Sequence, residues 1–260
     1  MSRARAEDLQ AVVLAGGLGL RLRPAVSDLP KVMAPVAGRP FLHHLLSSLK
    51  ARGVRRFLLC VGYKADDVAA YFGDGSGLGI EVAYSVDSTP AGTGGALKLA
   101  LGQVDDTFLL VNGDTLISLD PCALVHYHHA RGSMLTLVGR RWRGRPRHDA
   151  GYILAARGGR VLGITRGPPK REAAGGGELL VNCGWYVCEK TAAEQVQRPP
   201  TSPPGSPFSI ESGLYPPLLD SVYVFATDQD FIDIGTPERY RRLRQEWEND
   251  GLPEPGPTQG

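Results

Sequence analysis

Residues 11–40, AVVLAGGLGLRLRPAVSDLPKVMAPVAGRP, do most to limit what this chain can fold into. The apolar run 11–15 reads as a strand that stops directly in a glycine-rich turn. Arg21 and Arg23 follow the turn, and Lys31 comes after them in a proline-rich loop. Successive glycines let backbone N–H groups close on an anion, because no Cβ blocks the approach and positive φ is easily adopted. Three cations beside such a turn point to a polyphosphate ligand. The turn matches neither common nucleotide loop. Leu22 stands at the third glycine position of G-x-G-x-x-G, and the lysine and hydroxyl residue of G-x-x-x-x-G-K-[ST] are missing.

Downstream, apolar runs and helix-like segments alternate. Residues 40–52 read as a helix, with proline near the first turn, Phe41, Leu42, Leu45, Leu46 and Leu49 on one face, and Gly53 as the stop. Strands are expected at 55–62, 80–86 and 107–111, and helices around 66–72, 94–101 and from Asp120, a candidate N-cap followed by Pro121. The continuous apolar run 107–111 suits a strand buried on both faces. The second half is richer in strands: 134–139, 151–155, 161–165, 179–187 and 222–226. The proline-rich connection 197–207 reads as loosely held. The pattern implies an α/β fold, a Rossmann-like doubly wound mixed sheet with a small inserted antiparallel portion.

Composition narrows the partners. A net charge of +2 over 260 residues gives no general electrostatic attraction for nucleic acid or a membrane surface, so an anion must be bound locally. No apolar stretch suggests a signal peptide or a membrane span, and a cytoplasmic protein is expected. Cys60, Cys122, Cys183 and Cys188 have no C-x-x-C spacing and read as reduced thiols. Cys183 and Cys188, five apart in one strand, should face opposite sides. His126, His128 and His129 have no metal-ligand pattern and read as a solvated helix face.

Two carboxylates stand out. Asp114 follows the apolar run in Asn112-Gly113-Asp114, where a strand end would aim it into the crevice of an open sheet. Asp233 lies between two isoleucines in FIDIGTPE, just before a helix that Thr236 would cap and Pro237 would start. Two such carboxylates suit Mg²⁺ when phosphate and water supply its other ligands.

Taken together, LAGGLGLRLRP, LPKVMAPVAGRP, NGD and DIGTPE resemble the signature of the sugar-1-phosphate nucleotidyltransferases, and the resemblance covers roughly residues 11–240. Within that family, SDLPKVMAPVAGRPFL and the short length are most similar to the D-glycero-α-D-manno-heptose 1-phosphate guanylyltransferases. The resemblance implies a 10–249 catalytic domain after a 1–9 extension, and the Pro/Gly-rich composition of 250–260 reads as a disordered tail. The resemblance further implies transfer of a nucleoside monophosphate, from GTP, to a sugar 1-phosphate, heptose or alternatively mannose, with release of pyrophosphate; another NDP-sugar pyrophosphorylase activity is a further alternative. A nucleotide-sugar-binding regulatory subunit with little activity is the alternative of a different class.

The resemblance also implies roles. Leu14, Ala15, Gly16, Gly17, Gly19 and Asn112 would hold the nucleotide, and Thr93, Gly94 and Gly95 would lie at the base. Arg21 would stabilise pyrophosphate, Lys31 would bridge the two reacting phosphates, and Asp114 and Asp233 would hold Mg²⁺. Gly151, Asn182, Gly184 and Glu211 would meet the sugar. One departure concerns the sugar side: Arg166-Gly167 stands where many relatives carry Glu-Lys, leaving Lys170 as a substitute. The cluster Arg140, Arg141, Arg143, Arg145 and Arg147 reads as a solvated loop, with a site for a phosphorylated sugar or a partner subunit as the alternative. Homo-oligomerisation stays open.

Overall fold

Parallel strands buried on both faces form the centre of the molecule, as the unbroken apolar runs require. The structure is a computed structural model that describes residues 5–26, 28–141, 147–167 and 177–250. Its strands in chain order are β1 (Gln10–Leu14), β2 (Pro35–Val36), β3 (Arg39–Pro40), β4 (Arg56–Val61), β5 (Glu81–Val86), β6 (Thr107–Asn112), β7 (Thr115–Ile117), β8 (Leu135–Arg141), β9 (Gly151–Ala155), β10 (Val161–Arg166), β11 (Glu178–Glu189), β12 (Val222–Thr227) and β13 (Phe231–Asp233). The helices are α1 (Phe41–Ala51), α2 (Ala65–Phe72), α3 (Gly92–Ala100), α4 (Pro121–Ala130), α5 (Lys190–Ala193), α6 (Ile210–Gly213) and α7 (Pro237–Asp250).

Strands β5-β4-β1-β6 run parallel, and β11 joins them antiparallel to β6. β11 then carries β8 and the β9–β10 hairpin, while β12 adds parallel to β8. The expected antiparallel portion is thus continuous with the main sheet. Alternation along β1 sends Ala11 and Val13 to one core and Val12 and Leu14 to the other. Leu42, Leu45, Leu46 and Leu49 of α1 pack on the first core with Val68 and Phe72 of α2; Leu97 and Ala100 of α3 pack on the second. Each fully buried leucine contributes about 1.5–3 kcal/mol of transfer free energy. Cys183 and Cys188 sit in different cores, on opposite faces of the sheet as their spacing requires. Among the described residues no helix is long and apolar enough to cross a membrane.

Several expectations are corrected. His128 is fully buried rather than solvated; its ring bonds Thr136 Oγ1 at 2.8 Å and Glu189 Oε1 at 2.9 Å. Its helix packs on β11 and β12, so a histidine in an outwardly polar pattern turns inward to close a polar pair. The loop 197–207 is pinned, not loose: Gln197 N–H donates to Gly213 O at 3.1 Å, and Arg198 Nε donates to Ser206 O at 2.9 Å. The short elements β2, β3, β7, α5 and α6 escape periodicity because each spans too few residues to show a period. The tail 251–260 lies outside the described residues.

α7 is fastened by a third core in which Tyr240, Leu243 and Trp247 meet Leu22, Val36 and Phe41. Beside it, His44 Nε2 donates to Val36 O at 2.8 Å, and Arg39 donates to His43 Nε2 at 2.8 Å. Burial, then the nearby Arg39 charge, hold His43 below the usual histidine range. Burial does the same to His44, against the pull of its bond to Val36. Both are therefore neutral in the fold, and the unfolded chain takes up more protons just below pH ~6.5. Their contribution is complete above that pH and is lost as pH falls through the lowered folded values. The urea midpoint should drop between pH 7.5 and 5.5, and His44→Gln should shrink that drop; an equal drop in the variant would refute the assignment.

Candidate active site

The sheet order places a switch point between β1 and β6, where connections leave in opposite directions and a crevice opens at the carboxyl ends. Two cavities of about 500 Å³ each open there, and they share Arg21, Asn112 and Asp114. The first is walled by 14–22, Lys31, Asp87, Gly92, Thr93 and Pro207. Its glycine turn is held down at both ends: Ala15 N–H donates to Cys60 O at 2.8 Å, and Leu22 is fully buried beneath α7. The residue that breaks the dinucleotide motif is thus the loop's apolar anchor. Gly19 has φ +58°, and a Cβ there would lie 3.0 Å from that of Lys31; a Cβ on Gly17 would meet nothing within 4 Å. Gly17 therefore faces open space that a phosphate can enter up to the backbone.

Thr93 lines the same cavity, and its hydroxyl accepts the Ile210 N–H at 3.0 Å. Gly94 and Gly95 lie off the cavity wall. A Cβ on Gly94 would strike the Phe208 ring at 2.4 Å, and one on Gly95 would strike Ala91 at 2.3 Å, so packing explains both glycines. Asp87, which stands in no motif of the sequence, shapes the wall by accepting Thr89 N–H and Ala91 N–H at 3.0 and 2.9 Å.

The two singled-out carboxylates meet through an unforeseen ladder. β13 pairs antiparallel with β7, setting Asp233 opposite Thr115, and Ile234 N–H donates to Asp114 O at 3.1 Å. Lys31 Nζ forms an ion pair with Asp114, the two side chains being 13% and 27% exposed. Asp233 accepts Gly235 N–H at 2.5 Å and pairs with Arg239. Burial pushes the Asp114 carboxyl up, but the charge and hydrogen bond of Lys31 outweigh it and hold the group below the carboxylate range. Burial, then repulsion from Asp114, push Asp233 above it. Among the described residues no cluster of three or more His, Cys, Asp or Glu forms a metal site. A cation here would take two carboxylates and draw its other oxygens from phosphate and water, an arrangement that suits Mg²⁺.

The second cavity is walled by Gly151, Asn182, Gly184, Glu211, Arg147, Asp149 and Arg166. Asn182 Nδ2 donates to Tyr186 OH at 3.0 Å, Tyr186 OH donates to Glu211 Oε1 at 3.1 Å, and Gly184 N–H returns to Asn182 Oδ1 at 2.9 Å. Burial, then the Glu211 charge, push the Tyr186 phenol well up, so it stays a neutral donor. Gly184 has φ +69°, and a Cβ there would sit 2.4 Å from Asn112 Nδ2, so glycine lets β11 pass close to Asn112. Lys170, Arg143 and Arg145 lie outside the described residues. Arg140 and Arg141 pair with Asp230, Glu178 and Asp228 away from both cavities, whereas Arg147 enters the second one. Five participants were missed: Asp87, Tyr186, Asp149, Arg239 and the position of Arg147. The one available signal was that a buried Asp233 demands a counter-charge, and Arg239 follows it at the start of the next helix.

The nucleotidyl transferase family profile matches residues 10–250. The chain belongs to the nucleotidyl transferase family. It is 32% identical over 242 residues to D-glycero-alpha-D-manno-heptose 1-phosphate guanylyltransferase of Aneurinibacillus thermoaerophilus, covering 92% of this chain and 98% of that one. It is 35% identical to mannose-1-phosphate guanylyltransferase of Mycobacterium tuberculosis, over 90% of this chain but 63% of that protein's length. The crystal structure of HddC from Yersinia pseudotuberculosis complexed with GMP-PN is similar at TM-score 0.73 and 30% identity, covering 92% of this chain and 99% of that one. A putative glucose-1-phosphate thymidylyltransferase from Bacillus anthracis, at 19% identity and TM-score 0.77, shares the fold.

Arg239, 18% exposed, bridges Asp233 and Asp149. Burial, then the charges of Arg147 and Arg21, bring its pKa down to about 10, so it stays charged at neutral pH. Arg239→Ala leaves two partly buried carboxylates short of a partner and should cost about 1–3 kcal/mol in urea unfolding at pH 7.5, with Arg239→Lys recovering part. An unchanged midpoint would show that the bridge carries no stability.

Proposed function

We propose that this nucleotidyl transferase is a sugar-1-phosphate guanylyltransferase, joining GMP from GTP to a sugar 1-phosphate, with D-glycero-α-D-manno-heptose 1-phosphate as its sugar. The observation that carries the reading is the junction of the two cavities at Asp114, with Lys31 beside it. One cavity has the backbone turn a triphosphate needs. The other has the amide, phenol and carboxylate groups that bond sugar hydroxyls. The guanine and heptose assignments are supported by the relative of 98% coverage and by the HddC complex. Mannose 1-phosphate is the second reading, favoured by the 35% identical mycobacterial relative.

In the reaction a phosphate oxygen of the sugar 1-phosphate forms a bond to the α-phosphorus of GTP. The bond from that phosphorus to the bridging oxygen breaks, and its electron pair leaves with pyrophosphate. No protein nucleophile is needed; the residues position two anions and offset their repulsion. Backbone N–H groups around Gly17 and Gly19 cradle the triphosphate, Arg21 meets the departing pyrophosphate, and Lys31 bridges the attacking phosphate and the α-phosphate. Asn182, Tyr186 and Glu211 orient the sugar ring. Asp114 and Asp233 would hold Mg²⁺, which supplies charge neutralisation on the triphosphate. The cytoplasm is the compartment this reading expects.

Pyrophosphate release should be measured with Mg²⁺, each ribonucleoside triphosphate and dTTP, against a panel of sugar 1-phosphates. GTP with heptose 1-phosphate should turn over fastest, EDTA should abolish turnover, and Asp114→Asn or Lys31→Gln should each lower kcat by about 10²–10³-fold. Release from no pair would sink the enzyme and leave a regulatory nucleotide-sugar-binding subunit. Full activity of Asp114→Asn would sink the mechanism.

A further inference from the structure

Arg147 and Arg239 form a closed square with Asp149 and Asp233 at the rim of the second cavity. Arg239 pairs with both carboxylates, while Arg147 Nε lies 3.4 Å from Asp149 Oδ1 and Arg147 Nη2 lies 3.5 Å from Asp233 Oδ2. The two arginines are not equivalent. Arg239 makes the closer contact to each carboxylate, and Arg147 stands at the long edges of the square. Its main chain is fixed, since Arg147 N–H donates to the OH of buried Tyr152 at 2.7 Å. The end of the side chain therefore has a fixed base and loosely held partners.

A sugar 1-phosphate is a dianion that must be brought against a triphosphate. Among the cations around the junction, Lys31 is paired with Asp114, Arg239 is committed twice, and Arg21 lies where both cavities meet. Arg166 has no ion-pair partner among the described residues, but the β9–β10 ladder sets it opposite Gly151, on the sugar wall. Arg147 is the cation of the second cavity that reaches the Asp233 side of the junction. We infer that Arg147 joins Lys31 on the phosphate of the incoming sugar 1-phosphate, its guanidinium fork leaving the square to take two phosphate oxygens. This inference rests on the second cavity's being the sugar 1-phosphate site. It also gives Arg147 a role that a residue of a solvated loop does not have.

The test is kinetic and calorimetric. Arg147→Gln should raise KM for the sugar 1-phosphate by about 10–100-fold or more, the scale of losing charge-assisted hydrogen bonds to a phosphate, with KM for GTP within about twofold of wild type. Arg147→Lys should recover part of the loss. In calorimetry the variant should bind sugar 1-phosphate more weakly than wild type and the unphosphorylated sugar equally well. An unchanged KM for the sugar phosphate, or a rise in KM for GTP of the same size, would overturn the inference and make Arg147 a prop for Asp233. If wild type releases pyrophosphate with no pair, the guanylyltransferase reading fails, and calorimetry still decides Arg147: equal binding of sugar 1-phosphate by wild type and variant, or by neither, would overturn it.

Discussion

Two carboxylates held near each other at the end of a buried sheet are the constraint on which the site depends. Asp114 and Asp233 repel, and burial sharpens the repulsion, so neither could stay there without compensation. The chain offsets it with Lys31 on one side and Arg239 on the other, and with the backbone bonds of the β7–β13 ladder. Those cations come from distant parts of the sequence. The N-terminal glycine-loop region and the C-terminal helix are thereby tied to the same point, and the sheet between them becomes a frame for charge placement.

The surrounding packing makes that placement rigid on the nucleotide side. Leu22 sits in the third core with Phe41, Tyr240 and Trp247, so the glycine turn is fastened by α1 and α7 while its backbone stays open to the cavity. A mobile glycine loop would lose entropy on every binding event; an anchored one has lost it on folding. The sugar side is organised differently, by a polar chain from Asn182 through Tyr186 to Glu211 across β11 and α6. A glycine with positive φ at Gly184 lets this strand pass close to Asn112. The two halves of the site thus use different physics, backbone dipoles for phosphate and side-chain donors for hydroxyls.

Much of this could be read before any coordinates. The glycine turn with Arg21 and Lys31, the strand-end Asp114 and the lone Asp233 between isoleucines each carry a local signal, and the structure brings all of them to one crevice. The long strands and helices follow from their periodicity. The family resemblance, not a local signal, drew Gly94 and Gly95 toward the base, and the Phe208 ring and Ala91 account for them by packing, because a glycine needed for packing looks the same in sequence as one needed for a ligand. His128 misled for a related cause: periodicity places it on a helix, but which face is buried depends on the sheet beneath.

The reaction class was legible in the chain alone, since the order and type of its glycines, cations and carboxylates suit phosphate chemistry at strand ends. Which charges neutralise which was decided by the fold. Arg239 and Asp149 meet across 90 residues of chain, and the pairing of Asp233 with Thr115 spans a still longer gap. Such pairings leave no periodic trace, because they arise where loops from separate strands converge. For the same reason the departure from the solvated-loop expectation lies at Arg147, a residue whose neighbours are set by the fold and not by the sequence around it.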